Sequence, residues 1–115
     1  LQLRAQVGRF FEDYDAILLP IHPCAAIPHD QPGTPATRRV SIDGNDRSYM
    51  DMFHWIALAG AAYLPATVVP IGATSAGLPI GVQIVGPYLY DRTTLQLARH
   101  LAQIGTPPPR PTLPG

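Results

Sequence analysis

The chain has 115 residues, no formal net charge, and only 14% charged residues against 46% hydrophobic ones, where soluble domains average about 25% charged. All eight basic residues are arginine, and they form no basic patch, which excludes nucleic acid as a partner. A chain of this length fits one modest domain, but a small domain has much surface to cover with polar groups; so thin a supply, with Leu1 rather than Met in first place, reads as a piece of a larger body.

The single cysteine, Cys24, excludes an internal disulfide and suits a reducing, cytoplasmic setting. Arg4, Arg9, Glu12 and Asp13 interrupt any signal-peptide pattern. Residues 52–90 carry no Asp, Glu, Lys or Arg, yet Pro65, Pro70, Pro79 and Pro87 punctuate them. A spanning helix needs about 20 apolar residues in one helical run, so this stretch is expected to be buried core and not a membrane segment.

Leu3, Val7, Phe10, Phe11 and Tyr14 recur at helical spacing and predict an amphipathic helix. Ala16-Ile17-Leu18-Leu19, stopped by Pro20, reads as a strand covered on both faces. Residues 20–37 hold five prolines and form a loop. Val40-Ser41-Ile42, Asp43-Gly44-Asn45 and Asp46-Arg47 predict a hairpin. Ser48 and Asp51 have capping-box spacing and open a helix expected to run to about Ala62. On it Tyr49, Phe53, Ile56 and Gly60 share one face, and Met52, Trp55, Ala59 and Ala62 share the next. A strand over 66–71, again covered on both faces, a turn over 72–77 and a returning strand over 78–86 follow. Asp91 is expected to cap a last helix that turns Leu95, Ala98, Leu101 and Ala102 inward and ends at Gly105. The expected organisation is therefore one α/β unit over 1–105, with a partly mixed sheet flanked by helices, and a proline-rich, extended or disordered tail over 106–115.

Few residues offer chemistry. Ser75 in Ala73-Thr74-Ser75-Ala76-Gly77 nearly matches the nucleophile elbow, but that motif leads from a strand into a helix, and here a strand follows. His22, Cys24, His29 and Asp30 lack the paired spacings of recognised zinc sites, so no metal is expected. No helix N-terminus or cation is expected beside Cys24, so it is not read as a nucleophile. His54 and His100 fall on predicted helices as ordinary helix residues. With no lysine and no G-x-G-x-x-G, phosphate-binding loops are excluded, and no cofactor is expected.

Tyr63-Leu64-Pro65-Ala66-Thr67-Val68-Val69-Pro70-Ile71-Gly72, followed by Gly77-Leu78-Pro79-Ile80-Gly81-Val82-Gln83-Ile84-Val85-Gly86, resembles the C-terminal signature of amidase-signature enzymes. Phe11 to Pro20 is similar to that family's Y-D-x-[LI]-L-x-P strand, and Asp91 to Ala98 to its final helix. The resemblance implies an amide hydrolase using a Ser–cis-Ser–Lys triad, in which the lysine activates the serine nucleophile through the bridging serine. The triad lies upstream of these motifs in the family. With only Ser41, Ser48 and Ser75 and no lysine, this chain can supply no catalytic residue.

What the resemblance carries over is pocket wall. The loop after the Y-D-x-L-L-x-P strand points to Ile21, His22 and Pro23, and the helix before G-L-P-A to Tyr49, Phe53 and Ile56. Phe53 stands where glutamine-using amidotransferases of the A type have an aspartate for the substrate's ammonium, which implies an apolar or aromatic acyl group. Tyr63 stands where glycine is usual, and Gly60 where asparagine is common. The implied partners are the catalytic portion of the amidase and a small amide substrate, with a second copy of the chain as a further partner. The competing readings are a non-catalytic binding or structural module descended from the fold, and part of an A-type amidotransferase chain.

Overall fold

The Pro79–Val85 strand is the spine of the structure, a computed structural model that describes residues 2–29 and 32–106. In chain order the elements are α1 (Gln2–Phe10), β1 (Ile17–Pro20), β2 (Arg39–Ile42), β3 (Asn45–Ser48), a 3₁₀ turn (Tyr49–Phe53), α2 (Ala57–Ala62), β4 (Ala66–Ala73), β5 (Pro79–Val85) and α3 (Asp91–Ile104). One sheet has the order β1-β5-β4, the other pairs β2 with β3. The α/β class is as expected. Every pairing within this stretch is antiparallel, so β1 and β4 run in the same direction on either side of β5.

Proline placement follows that order. A proline cannot donate to a ladder, so within sheets it keeps to edge strands and strand starts. Pro70 and Pro20 lie on the edge strands β4 and β1, and Pro79 opens β5. Register slips at Ile71, since Pro70 pairs with Gly81 and Gly72 with Ile80. The β4–β5 turn is tighter than the sequence suggests: Thr74 N–H donates to the Leu78 carbonyl at 2.8 Å, and Gly77 takes φ +79°.

Alternation along β5 gives the sheet two faces. Val85 faces α1 and α2, where Ala59, Ala62 and Leu64 are buried with Val7, Phe11, Ile17 and Leu19 packed against them. Ile84 and Val69 are buried on the other face, towards α3. There the Thr67 and Thr94 hydroxyls lie 2.8 Å apart, and Thr94 Oγ1 donates to the Asp91 carbonyl at 2.8 Å. A Cβ on Gly86 would sit 2.6 Å from Thr94 Cγ2, so only glycine lets α3 approach this closely.

The two strands expected to be covered on both faces are not. Leu18 is 54% exposed, and β4 buries only Val69 while Val68 and Ile71 stay open. Among the described residues, α1, α2 and α3 cover only part of each face. The inward face of α3 is also shifted. Thr94 is buried, with Leu97, Ala98 and Leu101 half-buried, while Leu95 and Ala102 face outward. Asp91 is the first residue of α3, after Tyr90, and does not cap it with its side chain; its charge lies in the first turn, where the helix dipole favours it. The first helix stops at Phe10, short of Tyr14, which stacks on Phe10 at 4.5 Å.

The expected continuous helix over 48–62 is broken into the 3₁₀ turn and α2. Ser48 does accept from the Met50 N–H at 3.2 Å. Asp51, however, turns to the Arg47 guanidinium at 2.8 Å and so leaves the reciprocal half of a capping box unmade. The hairpin before it matches its sequence. Asp43 (φ 51°) and Gly44 (φ 76°) are both left-handed, as a type I′ turn requires, and Ile42 pairs with Asn45. The tail beyond Thr106 lies outside the described residues.

Candidate functional site

The chain leaves β1 at Pro20, runs through Ile21 and His22, and passes beneath the 3₁₀ turn that carries Tyr49, Met52 and Phe53. Between these segments and the start of β5 at Pro79-Ile80-Gly81 lies a cleft of about 580 Å³. Its two walls are joined at two points. His22 Nδ1 lies 2.6 Å from the Met52 carbonyl oxygen. A carbonyl can only accept, so Nδ1 carries a hydrogen, and in the neutral form of the ring the lone pair is then on Nε2.

Gln83 makes the second joint. It is 3% exposed, and its carboxamide nitrogen donates to the Pro20 carbonyl at 2.8 Å and to the Trp55 carbonyl at 2.9 Å. One side chain thereby fixes the end of β1 against the exit of the 3₁₀ turn. The sequence marks Gln83 only as a motif letter. Its acceptors lie 63 and 28 positions away, so no local pattern reveals the role.

Of the residues expected to form a pocket wall, Ile21, His22, Tyr49 and Phe53 line the cleft. Pro23 and Ile56 do not, because the break after Phe53 takes Ile56 off the face that a continuous helix would have given it. Phe53 is 40% exposed within this stretch and meets Tyr49 edge-on at 5.9 Å. Cys24 and Met52 were not expected there. Both line the cleft, with their sulfurs 3.7 Å apart. Among the described residues no Asp, Glu or Arg side chain lines it.

The other candidates lie elsewhere. Ser75 sits on the hairpin turn between β4 and β5, with no helix behind it to present a nucleophile. Among the described residues no three His, Cys, Asp or Glu side chains come together as a metal site; Asp30 lies outside those residues. No helix among the described residues is long and apolar enough to cross a membrane. Tyr63, where glycine is usual in the resembling family, holds φ 54° and closes α2, with the Leu64 N–H donating to the Ala59 carbonyl at 2.9 Å. That is the left-handed C-terminal closure which glycine adopts without strain.

A central antiparallel β5 held between two edge strands, helices on both faces and a clamped, largely apolar cleft together define part of an α/β body. The family model described as Amidase matches residues 1–95, and the chain belongs to that family. It is 34% identical over 102 residues to the A subunit of a glutamyl-tRNA(Gln) amidotransferase from Synechococcus sp. (strain RCC307), a match that takes in 88% of this chain and 19% of that protein. A putative amidase of Synechocystis sp. (strain ATCC 27184 / PCC 6803 / Kazusa) is 34% identical over 101 residues, 85% of this chain and 18% of that one. Fatty-acid amide hydrolase 2 of Homo sapiens is 30% identical over 99 residues, 86% of this chain and 16% of that one. A crystal structure of an amidase superposes with a TM-score of 0.70 at 25% identity, covering 91% of this chain and 23% of the other. The chain thus spans about a fifth of the length of the relatives it matches.

Proposed function

We propose that this chain is the C-terminal portion of an amide C–N hydrolase, supplying sheet strands and one wall of the acyl-group cleft. The Ser–cis-Ser–Lys machinery then comes from catalytic sequence outside this stretch. The single observation carrying the reading is the cleft itself. Tyr49, Phe53 and His22 meet there, and Gln83 holds its walls in register. Chemistry within the chain has little support, since it has no lysine and its Ser75 lies on a hairpin turn.

A role in an A-type amidotransferase is favoured by the Synechococcus relative's name. Against it stand Phe53, in place of the ammonium-reading aspartate, and a cleft that no Asp, Glu or Arg side chain lines among the described residues. A free-standing binding module has less support, because so much apolar sheet is open.

The test is a transplant. Residues 2–106 replace the matching stretch of the Synechocystis putative amidase, and kcat/KM is measured for aromatic, aliphatic and aminoacyl amides. A folded, active chimera whose acyl preference shifts towards aromatic amides supports the reading. An active chimera that keeps the host's preference removes the wall from this chain.

A further inference from the structure

Among the described residues the cleft lining is predominantly apolar, with a polar minority that includes His22 and Tyr49. Ile21, Met52, Phe53 and Ile80 give it aliphatic and aromatic surface, while its lining includes no ionised carboxylate or guanidinium to meet a charged ligand. A charge placed against that apolar surface loses hydration without gaining a partner, which disfavours it relative to a neutral group. Among the described residues the lining therefore favours neutral ligands over charged ones.

Within that surface His22 is held in one orientation. Its Nδ1–H is committed to the Met52 carbonyl at 2.6 Å, and among the described residues no group pairs with Nε2. The bond sets the tautomer, so a neutral His22 offers an acceptor at Nε2 and no donor. Cys24 cannot substitute for it, because its sulfur faces the Met52 sulfur and is a weak acceptor in any case.

We infer that His22 is a specificity-determining residue whose Nε2 accepts a hydrogen bond from an N–H of a neutral amide carrying an apolar or aromatic group. The inference rests on the cleft being the acyl-group wall. Within that reading it adds a discriminator: primary and secondary amides are held, whereas esters of the same shape lack the donor. Met52 acts as a positioning residue through its backbone, by keeping the lone pair on Nε2.

Three neutral or charged probes of one shape separate the contributions in the chimera described above, its host's nucleophilic serine replaced by alanine so that no probe is turned over: phenylacetamide, methyl phenylacetate and phenylacetate. Binding is followed by side-chain NMR signals of Tyr49 and Phe53 and by the two ring nitrogens of His22. In the unsubstituted chain the amide is expected to bind about tenfold tighter than the ester, the size of one net hydrogen bond, with phenylacetate weakest. Ligand binding is expected to move the Nε2 signal and leave Nδ1 in place. In His22→Phe the amide–ester gap closes; in His22→Gln, whose amide can both donate to Met52 and accept from the ligand, it persists.

An amide–ester gap that survives His22→Phe overturns the inference, as does equal binding of the two in the unsubstituted chain. In both cases Tyr49 and Phe53 still respond, and the cleft reading stands. If no amide moves Tyr49 or Phe53, the wall assignment falls first. Should His22→Phe fail to fold, the unsubstituted chain decides alone: a neutral His22 protonated on Nε2 contradicts the assigned tautomer.

Discussion

The carboxamide of Gln83 lies 2.9 Å from the carbonyl oxygen of Trp55, and the same nitrogen donates to Pro20 at 2.8 Å. Both amide hydrogens are therefore spent on backbone oxygens from two different walls of one cleft.

Gln83→Leu keeps a similar volume but gives up both hydrogen bonds, each worth about 0.5–1.5 kcal/mol net. Gln83→Glu should be worse at neutral pH, since an ionised carboxylate would face two carbonyl oxygens with nothing to donate. Thermal unfolding of the two variants should rank them in that order below the parent, and the Tyr49 and His22 NMR signals should broaden or move. A Gln83→Leu variant of unchanged midpoint would show that the clamp contributes nothing.

Phe53 faces the cleft at 40% exposure. Truncation to alanine should cost less than the roughly 3–5 kcal/mol typical of a buried phenylalanine. Within the transplanted enzyme its penalty should fall on aromatic acyl amides, with acetyl amides nearly unaffected. The measurement is kcat/KM for both substrates beside the thermal midpoint. Equal rate losses together with a large midpoint drop would assign Phe53 to the core.

Three substitutions that add or remove a glycine should differ in sign. Gly86→Ala drives a Cβ to 2.6 Å from Thr94 Cγ2, and Thr94 is pinned by its hydroxyl bonds, so overpacking should cost about 1–3 kcal/mol. Gly60→Ala in α2 meets nothing within 4 Å and should stabilise by about 0.5–1 kcal/mol through backbone entropy. Tyr63→Gly relieves a left-handed residue that is 77% exposed, and should also stabilise, by roughly 1 kcal/mol. Chemical denaturation of the three variants checks the order.

The chain by itself should self-associate and hydrolyse no amide above background. Leu18, Val68, Ile71 and Leu89 are exposed apolar side chains, and β1 and β4 are open edges among the described residues. Sedimentation velocity and binding of a hydrophobic dye give the test. A monodisperse monomer that binds no dye and unfolds cooperatively would contradict it.

Where a residue's conformation is set by its neighbours in sequence, the structure follows the sequence reading closely. Asp43-Gly44 dictates its own turn, and the β4–β5 hairpin and the span of α3 follow from local pattern. Misreadings arise where a distant or competing partner decides. The Arg47–Asp51 ion pair takes the carboxylate from the cap, and the expected helix is a 3₁₀ turn followed by α2. Close contact with Gly86 and Thr67 turns Thr94 inward and leaves Leu95 outside, although apolar periodicity favours Leu95. An apolar run such as Ile17-Leu18-Leu19 reports hydrophobicity, not which of its faces is covered. In the cleft, four of six expected wall residues meet, while Pro23 and Ile56 depended on the unbroken helix and the loop path.

The strand order β1-β5-β4 also sets a sequence of events in time. Thr74 and Leu78, which close the β4–β5 turn, are 4 positions apart, whereas Pro20 and Gln83, which seat β1, are 63 apart. That is about four doublings of loop length, on the order of 2.4 kcal/mol more closure entropy. The hairpin therefore zips first and β1 docks late. On the way back, β1 is the cheaper element to release, and its departure frees the Pro20 end of the cleft while β4 and β5 remain paired. Amide hydrogen exchange would record this as weaker protection at Leu18 than at Ile84, with the ligand-facing wall opening as a unit before the protein unfolds.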